Sequence, residues 1–349
     1  MLTLFAKFFA IMSYISVVNI MLNSVYSLNE GLIEMEINKV GCVGAGLIGC
    51  CWATLFSSMS IDVMIQDTSE DILDSSIGRI ELNLNFLKKN DLLRENEVKT
   101  TLKRIKTTLD LAEAVNQVDY VAESVPDRYP IKKKIYREMD KLTPESTILA
   151  SSSSGLLMTE IQKVTKKPER CVMAHPILPL HLIPLVEIVG GEMTSKKTIM
   201  KTRDFMIQLG KIPIVLNKEV PGYIINRLQA AVLREAISLV ANGVASANDV
   251  DKAFCMGAGL RDPIFGPYLR AHVAGGGIES FIEKFHQSYK IRWKSMETWT
   301  EIPHSAIQKV IKSVNEMEAI RTKPLKEIEI LRNEKLIQIL SLMNKHPFY

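Results

Sequence analysis

Cysteine is scarce and cannot pair off: the chain has five, Cys42, Cys50, Cys51, Cys171 and Cys255. An odd set in 349 residues excludes a disulfide framework and fits a reducing compartment, where cysteines serve as small core side chains. None repeats with the spacing of a metal-ligand pair, so no metal is expected. Charge of one sign is lacking too, since 43 basic and 39 acidic residues leave a net charge of +4. The signs alternate along the chain as on solvated helix faces, and no stripe of basic and aromatic residues is present, which excludes nucleic acid as a partner. Internal repeats and low-complexity segments are absent.

Long apolar runs are missing except at residues 2–27, where Lys7 is the single charge. Residues 1–37 therefore form an apolar N-terminal extension with three readings: a secretory signal with small residues near Val25-Tyr26-Ser27, a membrane anchor, or a sequence whose translation begins at Met35. Asn19 and Asn23 weigh against an anchor, because unpartnered amides are costly in hydrocarbon. Unpaired cysteines weigh against export. The preferred reading is a start at Met35, a cytoplasmic protein and a folded core without membrane contact.

What is present begins with Val40-Gly41-Cys42-Val43-Gly44-Ala45-Gly46-Leu47-Ile48-Gly49, followed by Asp67. An apolar strand ends at Val43, Gly44 permits a tight turn, Gly46 lets backbone N–H groups approach a pyrophosphate, and Gly49 lets the next helix pack on the strand. That helix, over 47–58, aims its positive end at phosphate charge through the N–H groups around Leu47 and Ile48. Asp67 closes a second strand over 62–66. Its carboxylate suits a ribose 2′-hydroxyl and repels a 2′-phosphate, so NAD rather than NADP is expected.

Hydrophobic residues make up 47% of the chain, enough for a large core, and the length favours two domains. Ser69 can cap a helix running to about residue 90, and a polar stretch follows to Lys106. Strand-like runs then occur at 120–123, 147–150, 171–174, 185–189 and 212–216, with helical patterns over 131–142 and 195–209. The alternation predicts an α/β fold with a Rossmann-type, doubly wound parallel sheet over 38–219. Composition changes at Val220-Pro221-Gly222, after which helices over 223–241 and 246–256 open an all-helical C-terminal domain spanning 220–349.

The second constellation is Ser154, His175, Glu187 and Asn226. Oxidising a secondary alcohol needs a base at the hydroxyl while the carbinol hydrogen leaves as hydride, and histidine is the residue type that titrates in the useful range. His175 ends a predicted strand, and Glu187 on the following strand can hold one imidazole nitrogen and stabilise the imidazolium. A carboxylate inside an apolar strand is expensive unless paired, which strengthens this reading of Glu187.

With the run Glu123-Ser124-Val125-Pro126-Asp127, Lys132, Ser151-Ser152-Ser153-Ser154, Ala174-His175-Pro176, Pro184-Leu185-Val186-Glu187, Pro221-Gly222-Tyr223-Ile224-Ile225-Asn226-Arg227 and Gly257-Ala258-Gly259-Leu260-Arg261, the chain resembles the 3-hydroxyacyl-CoA dehydrogenase superfamily. Within it the chain looks most like the lambda-crystallin branch. The resemblance covers residues 39–279. It implies an NAD-dependent dehydrogenase acting on a CH–OH group, with His175 as general base, Glu187 as its partner, and Ser154 and Asn226 giving neutral hydrogen bonds to the reacting oxygen. It also implies Asp127 and Lys132 near the cofactor, and a homodimer formed through the helical domain. Leu178 departs from the pattern, because the family usually has an asparagine there.

Arg261 can bind a free carboxylate in bidentate fashion, which favours a small hydroxy acid over a thioester; a pair with Asp262 is the structural alternative. Asn83 and Asn90 stand where the acyl-CoA members tend to place basic or hydroxylated residues. The implied reaction is oxidation of the 3-hydroxyl of a small hydroxy acid, with L-gulonate to 3-dehydro-L-gulonate as the leading case. A short-chain 3-hydroxyacyl-CoA dehydrogenase and a catalytically silent, crystallin-like protein remain as alternatives.

Overall fold

A computed structural model describes residues 37–94 and 97–343, so the apolar N-terminal extension lies outside the described residues apart from Ile37. Two compact units divide between Asn226 and Arg227. This is later than the compositional break at Val220, because the hinge segment still bonds back to the first unit. The carboxylate of Glu219 accepts N–H groups of Met158 and Thr159, and Tyr223 Oη donates to the Leu156 carbonyl at 2.6 Å.

The first unit alternates strand and helix: β1 Lys39–Val43, α1 Leu47–Ser58, β2 Asp62–Gln66, α2 Glu70–Lys89, α3 Glu97–Leu102, β3 Ile105–Thr108, α4 Leu111–Val115, β4 Tyr120–Glu123, α5 Tyr129–Leu142, β5 Ile148–Ser151, α6 Met158–Gln162, β6 Cys171–Pro176, β7 Leu185–Val189, α7 Lys196–Gln208 and β8 Ile212–Val215. The eight strands lie in the order β3-β2-β1-β4-β5-β6-β7-β8. The chain leaves β1 in one direction for β2 and β3, then returns to β1's other side for β4, which makes the switch point where doubly wound sheets open a crevice at their carboxyl ends.

The sheet is mixed rather than wholly parallel. β6 and β7 are antiparallel, with His175 opposite Glu187, whereas the other neighbouring pairs run parallel. The short loop 177–184 is the reason: it has no room for the crossover helix that a parallel neighbour requires. The polar stretch before Lys106 also holds α3 and leads into β3, both too short to carry a hydrophobic period. Ser69 stands at the N-cap position of α2 but makes no side-chain cap bond there.

The core of the first unit lies on both faces of the sheet, with Val43, Tyr136, Met139, Leu149 and Met173 fully buried. The second unit is helical: α8 Ile225–Ala241, which starts in the hinge, α9 Ala247–Ala253, a π-helical turn Phe254–Ala258, α10 Gly259–Arg261, α11 Pro267–Gly275, α12 Ile278–Ser295, α13 His304–Asn315, α14 Glu318–Thr322 and α15 Leu325–Met343. Ser246 caps α9 by accepting the Asp249 N–H. Among the described residues no helix is long and apolar enough to cross a membrane, and no three His, Cys, Asp or Glu side chains gather as a metal site needs.

Candidate active site

Strand register brings the sequence-predicted residues to one edge of the sheet. Gln66, Val43, Glu123 and Ser151 are successive partners across β2, β1, β4 and β5, and Ser151 faces Met173 of β6. Asp67, Gly44 and Ser124 therefore follow their strands at the same carboxyl edge, with His175 two residues beyond Met173.

The β1–α1 turn fits a dinucleotide. Gly44 has a φ of +98°, and a Cβ there would meet the Ser124 carbonyl at 2.9 Å. A Cβ on Gly49 would stand 1.9 Å from the Gly44 oxygen, so only glycine lets α1 pack this closely. At Gly46, in contrast, a Cβ would meet nothing within 4 Å. No side chain caps α1, whose N-terminus at Gly46 leaves the N–H groups around Leu47 and Ile48 for an anion. Asp67 is oriented by the N–H groups of Ala45 at 2.8 Å and Thr68 at 2.7 Å. A carboxylate has lone pairs to spare beyond these two bonds, so it can still accept from a ribose hydroxyl.

Behind this turn lies a buried ionic network that sequence reasoning missed. Glu123, fully buried at the end of β4, accepts from Lys132 Nζ at 2.7 Å, Val125 N at 2.7 Å and Ser151 Oγ at 2.6 Å. The signal was available in the run Tyr120-Val121-Ala122-Glu123, where a carboxylate ends an apolar strand. Lys132, expected beside the cofactor, is itself buried, and its ammonium points at Glu123, the Val125 carbonyl and Asp127 Oδ1 at 3.4 Å. A buried ammonium needs such partners, and these contacts tie Lys132 to the 124–127 turn. Asp127 Oδ2 accepts both the N–H and the hydroxyl of Ser154 at 3.0 Å. Burial opposes its charge, but hydrogen bonds from Ser153 and Ser154 and the Lys132 charge outweigh that and keep its carboxyl below the usual range.

The central pair is His175 and Glu187, both nearly inaccessible, with Nδ1 2.8 Å from Oε2. A carboxylate only accepts, so Nδ1 carries the hydrogen and Nε2 is left as the acceptor. The other oxygen, Oε1, accepts the N–H groups of Ile224 at 2.8 Å and Ile225 at 3.0 Å. One carboxylate thus fixes the histidine and closes the first turn of α8. That turn positions Asn226, whose Nδ2 donates to the Ser154 carbonyl at 2.8 Å.

One N–H of the Asn226 amide and the Ser154 hydroxyl hydrogen are directed at protein acceptors; an amide has a second N–H and a hydroxyl keeps its lone pairs. Tyr223, also missed, packs its ring against the imidazole at a centroid distance of 5.2 Å. Its φ of +50° is a strained conformation for an aromatic residue, sustained by burial and by the bond to Leu156.

Arg261 belongs to the second unit and is exposed; Asp262 pairs not with it but with Arg270 at 2.5 Å. Asn83 donates to Thr54 at 3.2 Å and Asn90 to the Phe86 carbonyl at 2.8 Å, both within the α1–α2 layer. Leu178 is 40% exposed on the loop after His175.

The profile of the 3-hydroxyacyl-CoA dehydrogenase NAD-binding domain matches residues 39–220, and that of the C-terminal domain of the same family matches 222–325. The chain belongs to the 3-hydroxyacyl-CoA dehydrogenase family. As in that family, it is an NAD-dependent dehydrogenase acting on a CH–OH group. It is similar to the L-carnitine dehydrogenase of Oceanobacillus iheyensis, with 34% identity over 89% of this chain and 99% of that protein. To the L-carnitine dehydrogenase of Bacillus cereus it is 35% identical, over 89% of this chain and 94% of the other. The crystal structure of (S)-3-hydroxybutyryl-CoA dehydrogenase from Ralstonia eutropha superimposes with a TM-score of 0.61 at 27% identity, covering 73% of this chain and 88% of that one.

Proposed function

We propose that this dehydrogenase oxidises the 3-hydroxyl of a small free hydroxy acid, with an L-carnitine-type 3-hydroxy carboxylate as the first substrate to test. The observation that carries the reading is the buried His175–Glu187 pair at 2.8 Å, on the sheet edge that also bears the dinucleotide turn. Bound NAD supplies the hydride acceptor. His175 Nε2 takes the hydroxyl proton as the carbonyl forms, and Glu187 stabilises the resulting imidazolium without taking the proton itself. The second amide N–H of Asn226 can donate to the reacting oxygen while that oxygen's own hydrogen faces His175, and the Asp127–Lys132–Glu123 network keeps Ser154 and the 124–127 turn in place.

The free acid is favoured by relatives of 34% and 35% identity that match over nearly their whole length and carry a carnitine name. The L-gulonate expectation has no such support and becomes one arm of the test. A second reading, a short-chain 3-hydroxyacyl-CoA thioester, is favoured by the family's description and by the Ralstonia eutropha structure. Arg261 remains the candidate carboxylate ligand from the second unit. The enzyme is further proposed to work in the cytoplasm as a homodimer, its helical unit supplying the contact.

NADH formation measured on L-carnitine, L-gulonate, 3-hydroxybutyrate and 3-hydroxybutyryl-CoA tests this directly. The highest kcat/KM is expected on a free acid, L-carnitine first. A highest kcat/KM on the thioester would overturn the proposal in favour of the second reading.

A further inference from the structure

One buried charge has no part in the chemistry above. Lys211 lies between α7 and β8 and is 7% exposed, yet the acceptors it meets are neutral: its ammonium donates to the carbonyls of Leu180 and, at 3.1 Å, of Ile183. Both carbonyls belong to the 177–184 loop that joins His175 to Glu187. Its own backbone is fixed from two sides, because Lys211 N donates to the Met206 carbonyl at 2.9 Å and the next residue, Ile212, donates to the Pro184 carbonyl at 2.9 Å.

The loop buries the side chains of Leu180 and Leu182 and closes one turn of its own. Leu182 and Ile183 both donate to the Pro179 carbonyl at 2.9 Å, which makes a single helical turn whose later carbonyls need donors from outside. Lys211 supplies them. Leu178, which precedes this turn, has no polar side-chain atoms with which to fix itself. An ammonium stripped of water is costly without a carboxylate, and a side chain of similar length without charge would fill the space more cheaply. Burial accordingly lowers the Lys211 pKa to about 7, with the nearby Cys51 acting weakly in the opposite direction.

We propose that Lys211 is a positioning residue for the oxidation: its ammonium clasps the 177–184 loop and so holds the turn end of the hairpin that carries His175 and Glu187. The kinetic part rests on the function proposed above; the structural part does not. The test is hydrogen–deuterium exchange on the full chain for Lys211→Met and Lys211→Gln, with NADH production measured in parallel. In Lys211→Met the Leu182 and Ile183 amides should exchange about tenfold faster than in the wild type, while amides of β6 stay unchanged. In the same variant kcat should fall about tenfold at unchanged KM for NAD, because the turn that binds NAD is not touched. Lys211→Gln keeps two N–H donors and should lie between the two. Unchanged loop exchange in Lys211→Met would overturn the proposal. Should Lys211→Met loosen the whole first unit, Lys211→Gln decides: acceleration confined to the loop supports the clasp, and uniform acceleration contradicts it. A wild type inactive on every hydroxy acid and thioester would sink the proposed function and leave the exchange result standing.

Discussion

The two compact units are built on opposite plans. The first surrounds an eight-stranded sheet and pairs buried polar side chains such as Glu123 with Lys132 and His175 with Glu187. Among the described residues of the second, Ile237, Ala241 and Ala306 form a small cluster, with Trp299 and Val310 against it. Meanwhile Met256 is 75% exposed, Tyr268 84% and Leu325 72%. Apolar patches of that kind on a monomer mark contact surfaces. The contrast teaches that the bonds fixing His175 are made within the first unit, whereas the helical unit leaves large apolar side chains exposed.

The largest effect expected in the first unit follows Gly49→Ala. The added carbon would stand 1.9 Å from the Gly44 oxygen, so the β1–α1 turn must open, and NAD binding measured by calorimetry should be lost. Retained affinity would show that the turn is less committed than its packing implies.

Next comes Glu187→Ala, which leaves Nδ1–H of His175 and the N–H groups of Ile224 and Ile225 without their acceptor. Turnover should drop by roughly a hundredfold or more, and stability by about 3 kcal/mol or more in denaturant titrations. Glu187→Gln sharpens the point. Its amide oxygen can still accept from Ile224 and Ile225 but cannot serve the histidine in the same tautomer, so activity should fall with much of the stability kept.

The helical unit makes a different prediction. If a second copy covers its apolar side chains, its unfolding midpoint should rise by a few degrees for each tenfold in protein concentration, roughly as linkage requires. The first unit's own transition should not move. Light scattering should give twice the chain mass, and a concentration-independent midpoint with a monomeric mass would break the comparison.

The smallest effect, about 1.4 kcal/mol per pH unit at most, is a pH slope. Lys211 titrates at about 7 when folded and in the ordinary lysine range when unfolded. Between those values the unfolded chain holds the extra proton, so stability should increase as pH rises from about 7 and gain on the order of a few kcal/mol at most. Lys211→Met should flatten that slope in thermal melts taken across the range.

Much of this was legible in the sequence because the physics was local. Gly44, Gly49 and Asp67 announce their roles through spacing along one strand–turn–helix–strand unit, and His175 with Glu187 could be paired because an unpartnered carboxylate inside an apolar strand is too costly. The fold class followed from the same alternation. What stayed hidden was non-local. The antiparallel turn of β7 depends on the length of the loop 177–184 rather than on any residue in it, and β3 with α3 are too short for a period to register. Lys211 reads as an ordinary lysine after Gly210, since its burial is produced by a loop some thirty residues earlier in the chain. Asp127 and Lys132 were placed near the cofactor by resemblance, but only coordinates reveal that Lys132 spends its donors on Glu123 and Asp127.

The most direct test compares wild type with His175→Gln for NADH formation and NAD affinity on the same preparation. Turnover should fall by about a hundredfold to ten-thousandfold with NAD affinity unchanged, because the imidazole takes the proton and does not hold the cofactor. Turnover within about twofold of wild type would contradict the account, since the proton would then have to leave by a route that bypasses His175.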